Sequence, residues 1–285
     1  MKCLVSLLCL LLLISFSSLA QKNIRVSSPD GNIVFNLKLL NTTPYYSIVY
    51  KNKTLIDYSP LTLDFENGAF RKNIKFNKPI FKDTTEQYNL LLGKTSHVVT
   101  HYKVMLLQFE EIVTPKRKIN ITVRVFNDGL AFRYEFPQQQ NWTSFQLLDE
   151  NTTFKLSGDP TVRTLLLPNY TSSHEGFYTV TPFSKLTSDT LMDMPTLFEY
   201  PGNTYMAITE AALLDYAGMY LSKHNDTLVA KLSPLPKQTA IKVKGELPHK
   251  SPWRVMLISD RIGALIESNI ITSLNEPSEF LSNGS

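Results

Sequence analysis

The chain has 285 residues, a formal net charge of +4 from 29 basic and 25 acidic side chains, and 43% hydrophobic residues. No basic block is present, which argues against nucleic acid as a partner. Both cysteines, Cys3 and Cys9, lie in the first twenty residues, so a chain trimmed there would hold no disulfide, no thiolate nucleophile and no cysteine-ligated metal.

Those twenty residues, MKCLVSLLCLLLLISFSSLA, carry one charge at Lys2, an apolar run from Leu4 to Ile14 and a small-residue exit ending in Ala20. They read as a secretory signal peptide over 1–20, too short in its apolar run to span a membrane and not followed by stop-transfer charges. The expected location is periplasmic or secreted. The remaining ~265 residues suffice for a core without disulfides, as one large β domain or two smaller ones.

Alternation with a period of two dominates the chain beyond Ala20. Strands are expected at 33–40, 46–50, 61–65 and 103–109, with turns such as Ser28-Pro29-Asp30-Gly31 between them. The strongest signal is KINITVRVF followed by LAFRYEF. Ile119, Ile121, Val123 and Val125 share one face of the first strand, and Leu130, Phe132, Tyr134 and Phe136 share one face of the second. Asn127-Asp128-Gly129 between them tolerate positive φ and so should close a hairpin. Further strands are expected at 227–232, 240–247 and 253–258, and Pro201-Gly202-Asn203 marks another turn. Near the end, Asp260 is placed to cap a helix from Arg261 to about Leu274, with Ile262, Leu265, Ile266 and Ile270 on one stripe and Pro277 as its stop. Many short strands without a βαβ rhythm point to a mainly β chain, a large antiparallel sandwich.

Seven N-x-S/T sequons (Asn41, Asn52, Asn120, Asn141, Asn151, Asn169, Asn225) would be glycan acceptors in a eukaryotic secretory pathway. In a bacterium they mean only loops rich in Asn and Thr, and Asn120 in mid-strand favours that reading.

No standard catalytic motif is present, and the five histidines lack helical metal-ligand spacing. Attention falls on YTSSHEGFY, residues 170–178, which places His174 and Glu175 in a Gly/Ser/Thr loop flanked by aromatics. Glu175 is either a solvated loop acid or one oxygen ligand for a hard cation; calcium gathers six to eight oxygens, often from distant loops. Asp189 and Asp193, further along, are candidates for other oxygens of such a site but read better as solvated surface charges, while Arg163 and His174 are candidate donors to sugar hydroxyls. Tyr170, Phe177 and Tyr178, with His174, are expected to fix the loop.

Several segments, in this order along the chain, resemble one family: SPDGNIVFNLKL, VFNDGLAFRYEF, SHEGFY, ITEAALLDYAGMYL, and PWRVMLISD with the adjoining helix and LNEPS. The chain is similar to the N-terminal domain of glycoside hydrolase family 97, the α-glucosidases and α-galactosidases of bacterial polysaccharide-utilisation systems. The resemblance implies a β-supersandwich over residues 21–278, shaped like galactose mutarotase, with 279–285 leading towards a catalytic (β/α)8 barrel. It implies calcium in the full-length enzyme, with Glu175 matching the N-terminal-domain glutamate that supplies one ligand and the barrel supplying the rest. It further implies packing against the barrel, α-linked oligosaccharides as partners of the whole enzyme, and Asp193, Met194 and Pro195 as part of the wall of the sugar pocket. The catalytic carboxylates of the family lie in the barrel, and these 285 residues supply no such pair. The expected function is therefore that of an accessory domain, not catalytic alone. The alternative is an exported, stand-alone carbohydrate-binding or structural sandwich.

Overall fold

The computed structural model describes residues 23–276; the expected signal peptide and the 279–285 linker lie outside them. Two large sheets face each other. One has nine strands and runs from Ile24–Ser27 at one edge to Leu166–Leu167 at the other. The second has eleven and runs from Thr179–Pro182 to His97–Glu111, whose far side carries both Ile74–Phe76 and Ile80–Asn89. A four-stranded sheet of Gly68–Phe70, Leu63–Phe65, Ser144–Asp149 and Val243–Glu246 completes the fold, and neighbouring strands are antiparallel.

The centre of the larger sheet is the hairpin expected from the sequence, Lys118–Phe126 with Gly129–Phe136. Its register pairs Ile121 with Tyr134, Val123 with Phe132 and Val125 with Leu130, all buried. The turn differs from expectation in its cause. Neither Asn127 nor Asp128 takes positive φ; only Gly129 does, at 157°. A Cβ there would stand 2.4 Å from the Met256 carbonyl oxygen, so the glycine is demanded by the close approach of the neighbouring strand. The Asn127 side chain instead accepts the Asp30 amide at 3.0 Å, tying this turn to the Ser28–Gly31 turn. True positive-φ pairs occur at Asn41-Thr42 and Lys51-Asn52, each the whole of a two-residue hairpin loop. Paired positive φ matches the twist of the flanking strands and favours Asn.

One apolar cluster joins the two large sheets, from Ile24 to Ile258. Phe35 and Tyr46 of the nine-stranded sheet stack at 5.4 Å, and Tyr46 meets Phe132 of the other sheet at 5.2 Å. Each such ring, fully buried, contributes about 1.5–3 kcal/mol of transfer free energy.

The helical segment near the C terminus is present as α1 (Ile262–Glu267) and α2 (Ile270–Leu274), separated at Ser268-Asn269. Asp260 does not cap it. The N-cap is Arg261, and the Asp260 carboxylate accepts from Lys51 Nζ at 2.7 Å. Ile262 and Ile266 of the expected stripe face solvent, while Leu265, Ile270 and Leu274 pack on the outer face of the eleven-stranded sheet against Tyr102, Phe126 and Trp253. Among the described residues no helix is long and apolar enough to cross a membrane.

Candidate functional site

Residues 168–178 leave Leu166–Leu167, an edge strand of one large sheet, and enter Thr179–Pro182, an edge strand of the other. The segment that holds Glu175 therefore crosses from sheet to sheet along one side of the sandwich. Asp193-Met194-Pro195 makes a second crossing there, from Leu191–Met192 to Thr196–Tyr200. Two regions picked out separately in the sequence are thus brought side by side.

One side-chain contact joins them. Nδ1 of His174 donates to Asp193 Oδ2 at 2.7 Å. Asp193 is not a solvated surface charge, as its place in a polar segment suggested: its side chain is 21% exposed, and Oδ1 accepts the Met194 amide at 2.8 Å. Its own amide donates to Leu165 O at 2.9 Å, and its carbonyl accepts Thr196 Oγ1 at 2.7 Å. Within the loop, Asn169 Oδ1 accepts both the amide and the hydroxyl of Thr171, a local turn that starts the crossing. Tyr170 packs edge-on against Tyr220, ring centroids 5.3 Å apart, and the His174 ring lies 6.3 Å from the same tyrosine.

Glu175 is exposed, and no hydrogen bond or ion pair among the described residues uses its carboxylate. Gly176 comes next, against Leu165, where a Cβ would sit 3.0 Å from Cδ1. The aromatics divide in a way the sequence did not announce. His174 and Tyr170 brace the loop, whereas Phe177 is 99% and Tyr178 62% exposed and fix nothing. Of the expected wall, Pro195 is exposed and Met194 packs against the main core. Arg163 pairs with Glu199 at 3.2 Å, and Asp189 lies 3.4 Å from His224; neither takes part in the His174–Asp193 contact.

Composition and alternation missed a second polar centre inside the core. Arg254 donates through Nε and Nη2 to the two oxygens of Glu150, at 2.8 and 2.5 Å, and through Nη1 to Glu210 at 2.8 Å. Thr152 donates to Glu150 at 3.0 Å and hydrogen-bonds the Tyr134 hydroxyl at 2.7 Å. Burial pushes the Glu210 carboxyl above its ordinary value, and the Arg254 charge offsets that only in part. Burial also opposes the Arg254 charge, but its carboxylate partners outweigh it and hold the guanidinium above its ordinary value. The signal was available: Arg254 shares strand parity with Met256 and Ile258, and Glu210 with Met206 and Ile208, all in the main core. A charge at a core position requires a partner. With every charged group paired, this cluster reads as structural.

Among the described residues, no group of three or more His, Cys, Asp or Glu side chains could hold a metal. Glu175 is exposed and unpaired among the described residues, so its carboxylate is available to supply part of the six to eight oxygens that calcium gathers.

Relatives share both sequence and shape. The chain is 26% identical over 302 residues to the retaining alpha-galactosidase of Bacteroides thetaiotaomicron, covering 96% of this chain and 44% of the relative. A glycoside hydrolase family 97 enzyme from Pseudoalteromonas sp. strain K8, solved in complex with acarbose, superposes with a TM-score of 0.84 at 29% identity, covering 90% of this chain and 38% of that one. A beta-arabinopyranosidase superposes with a TM-score of 0.76 at 23% identity over 84% of this chain and 40% of its own, a likeness of fold alone. The chain thus spans less than half the length of each. Residues 26–277, which take in both helices and both large sheets but for the first two residues of the Ile24–Ser27 strand, match the family described as glycosyl-hydrolase 97 N-terminal, and the protein belongs to that family.

Proposed function

We propose that the chain is the accessory N-terminal domain of a secreted, calcium-dependent α-glycosidase, an α-glucosidase or α-galactosidase, and that it acts by packing on a catalytic (β/α)8 barrel. The observation that carries this reading is the combination of a whole-domain family match with coverage of only 38–44% of the glycosidases it matches. Glycoside hydrolysis needs two positioned carboxyl groups flanking the scissile bond. Glu210, whose carboxyl burial raises above its ordinary value, is committed to Arg254.

In this reading Glu175 gives one carboxylate to a calcium whose remaining ligands come from the barrel. Its lack of a partner among the described residues and its place on a loop joining the two sheets support that role. Bound calcium supplies a fixed double positive charge that can orient oxygen-bearing groups of a sugar. The chain's own part is to carry the carboxylate on a braced loop and to line one side of the pocket with the neighbouring Asp193–Pro195 crossing. Phe177 and Tyr178, apolar and uncovered beside Glu175, give the packing face toward the barrel. Large exposed apolar groups beside a functional loop are typical of a surface another domain covers.

The test is to express the complete reading frame from which these 285 residues come and assay it on p-nitrophenyl α-glucoside and α-galactoside, with and without chelator. Chelator-sensitive release by the whole product, and none by residues 21–285, is expected. Release by residues 21–285 alone would refute the accessory role.

A further inference from the structure

We propose that Asp193, acting through His174, is the positioning residue for the Glu175 carboxylate. The proposal rests on the reading of Glu175 as a calcium ligand, but its structural basis is independent of that reading. Among the described residues, the segment 173–178 makes one hydrogen bond to the rest of the fold, the 2.7 Å contact from His174 to Asp193. Glu175 is the next residue along the chain. The Asn169–Thr171 turn and the Tyr170–Tyr220 packing hold the start of the loop, and the last tie before Glu175 is that contact together with the His174 ring lying beside Tyr220.

The acceptor is itself over-determined. Asp193 is held at its amide by Leu165 O, at its second carboxylate oxygen by the Met194 amide, and at its carbonyl by Thr196. Thr196 in turn shares a 3.0 Å hydroxyl contact with Thr164, and both threonines are fully buried. A rigid acceptor rooted between the two sheets thus meets a loop tethered at one side chain, immediately before the unpaired carboxylate. A group meant only to be solvated gains nothing from such a tether, whereas a metal ligand does. Ordering a flexible carboxylate on binding costs conformational entropy, and groups that hold a ligand in place beforehand are worth about 10–100-fold in metal affinity.

The test has two parts. Backbone 15N relaxation on the 285-residue chain reads the tether without any metal. With His174→Ala and with Asp193→Ala, order parameters over 173–178 are expected to fall below about 0.6, while the Lys118–Phe126 strand stays near about 0.85. Asp193→Asn can still hydrogen-bond either tautomer of His174 and is expected to stay close to wild type. Unchanged order parameters in His174→Ala or Asp193→Ala, or equal loosening in Asp193→Asn, overturns the proposal. The second part uses the complete reading-frame product and measures the calcium concentration that half-maximally raises its melting temperature. His174→Ala and Asp193→Ala are each expected to raise that concentration about tenfold, and Asp193→Asn to leave it near the wild-type value. If Glu175→Gln raises it and His174→Ala does not, the tether is merely structural and the positioning role fails while the ligand stands. If Glu175→Gln leaves it unchanged, the ligand reading fails and takes the positioning role with it.

Discussion

Arg254 and Glu150 form a two-pronged, fully buried ion pair between the sheets, with N–O distances of 2.8 and 2.5 Å and neither side chain accessible to solvent. Arg254 belongs to the PWRVMLI strand, and its second carboxylate partner Glu210 belongs to the ITEAALLDYAGMYL segment. Two of the segments that carry the family resemblance are therefore joined by one guanidinium. Removing Arg254 leaves the fully buried Glu150 without a counter-charge, which costs about 3–5 kcal/mol. Arg254→Met is accordingly expected to lower the urea midpoint of unfolding sharply. A loss below about 1 kcal/mol would mean that water reaches the pair.

Gly129 offers a sharper test of backbone packing. Gly129→Ala places a methyl 2.4 Å from the Met256 carbonyl at a φ of 157°. The expected loss is about 1–3 kcal/mol. Gly31, at φ 78° with nothing within 4 Å of its Cβ position, separates strain from clash. Gly31→Ala should cost visibly less. Equal losses in thermal unfolding would place the whole effect in backbone conformation.

Acid unfolding is governed in part by the Ser28–Gly31 turn. Burial works to raise the Asp30 carboxyl, but hydrogen bonds from the Ser28 hydroxyl and from the Asn32 amide and side chain outweigh it and hold it below its ordinary value of 3.8. A carboxyl lowered in the folded state contributes stability above its unfolded value, and that stability is lost as pH falls through the folded value. Wild type should therefore lose stability below about pH 4 more steeply than Asp30→Asn. Glu210 acts in the opposite sense: raised by burial, it favours folding at low pH and loses that contribution as pH rises through its folded value. Identical acid limbs for wild type and Asp30→Asn would remove Asp30 from the account.

The strands legible in the sequence are those with one buried face. Ile119–Val125 and Leu130–Phe136 show clean alternation because one side of each strand meets the core. Ile80–Asn89 went unread because it is polar or exposed on both faces and is held by pairing with His97–Glu111, a tertiary cause that leaves no local period. Asp260 matched the chemistry of a cap, yet Lys51, distant in sequence, takes its carboxylate. At the candidate site, residue types were legible and geometry was not. Asp193 read as one of two surface acids, and only the crossing of both sheet edges brings it to His174 and sets it apart from Asp189.

The central claim is that Glu175 is offered to a calcium completed by another domain. Its most direct test is the calcium concentration for half-maximal glycosidase activity of the complete reading-frame product, wild type against Glu175→Gln. Loss of one anionic oxygen ligand should raise that concentration about tenfold or more. An unchanged calcium requirement in an active Glu175→Gln enzyme would contradict it.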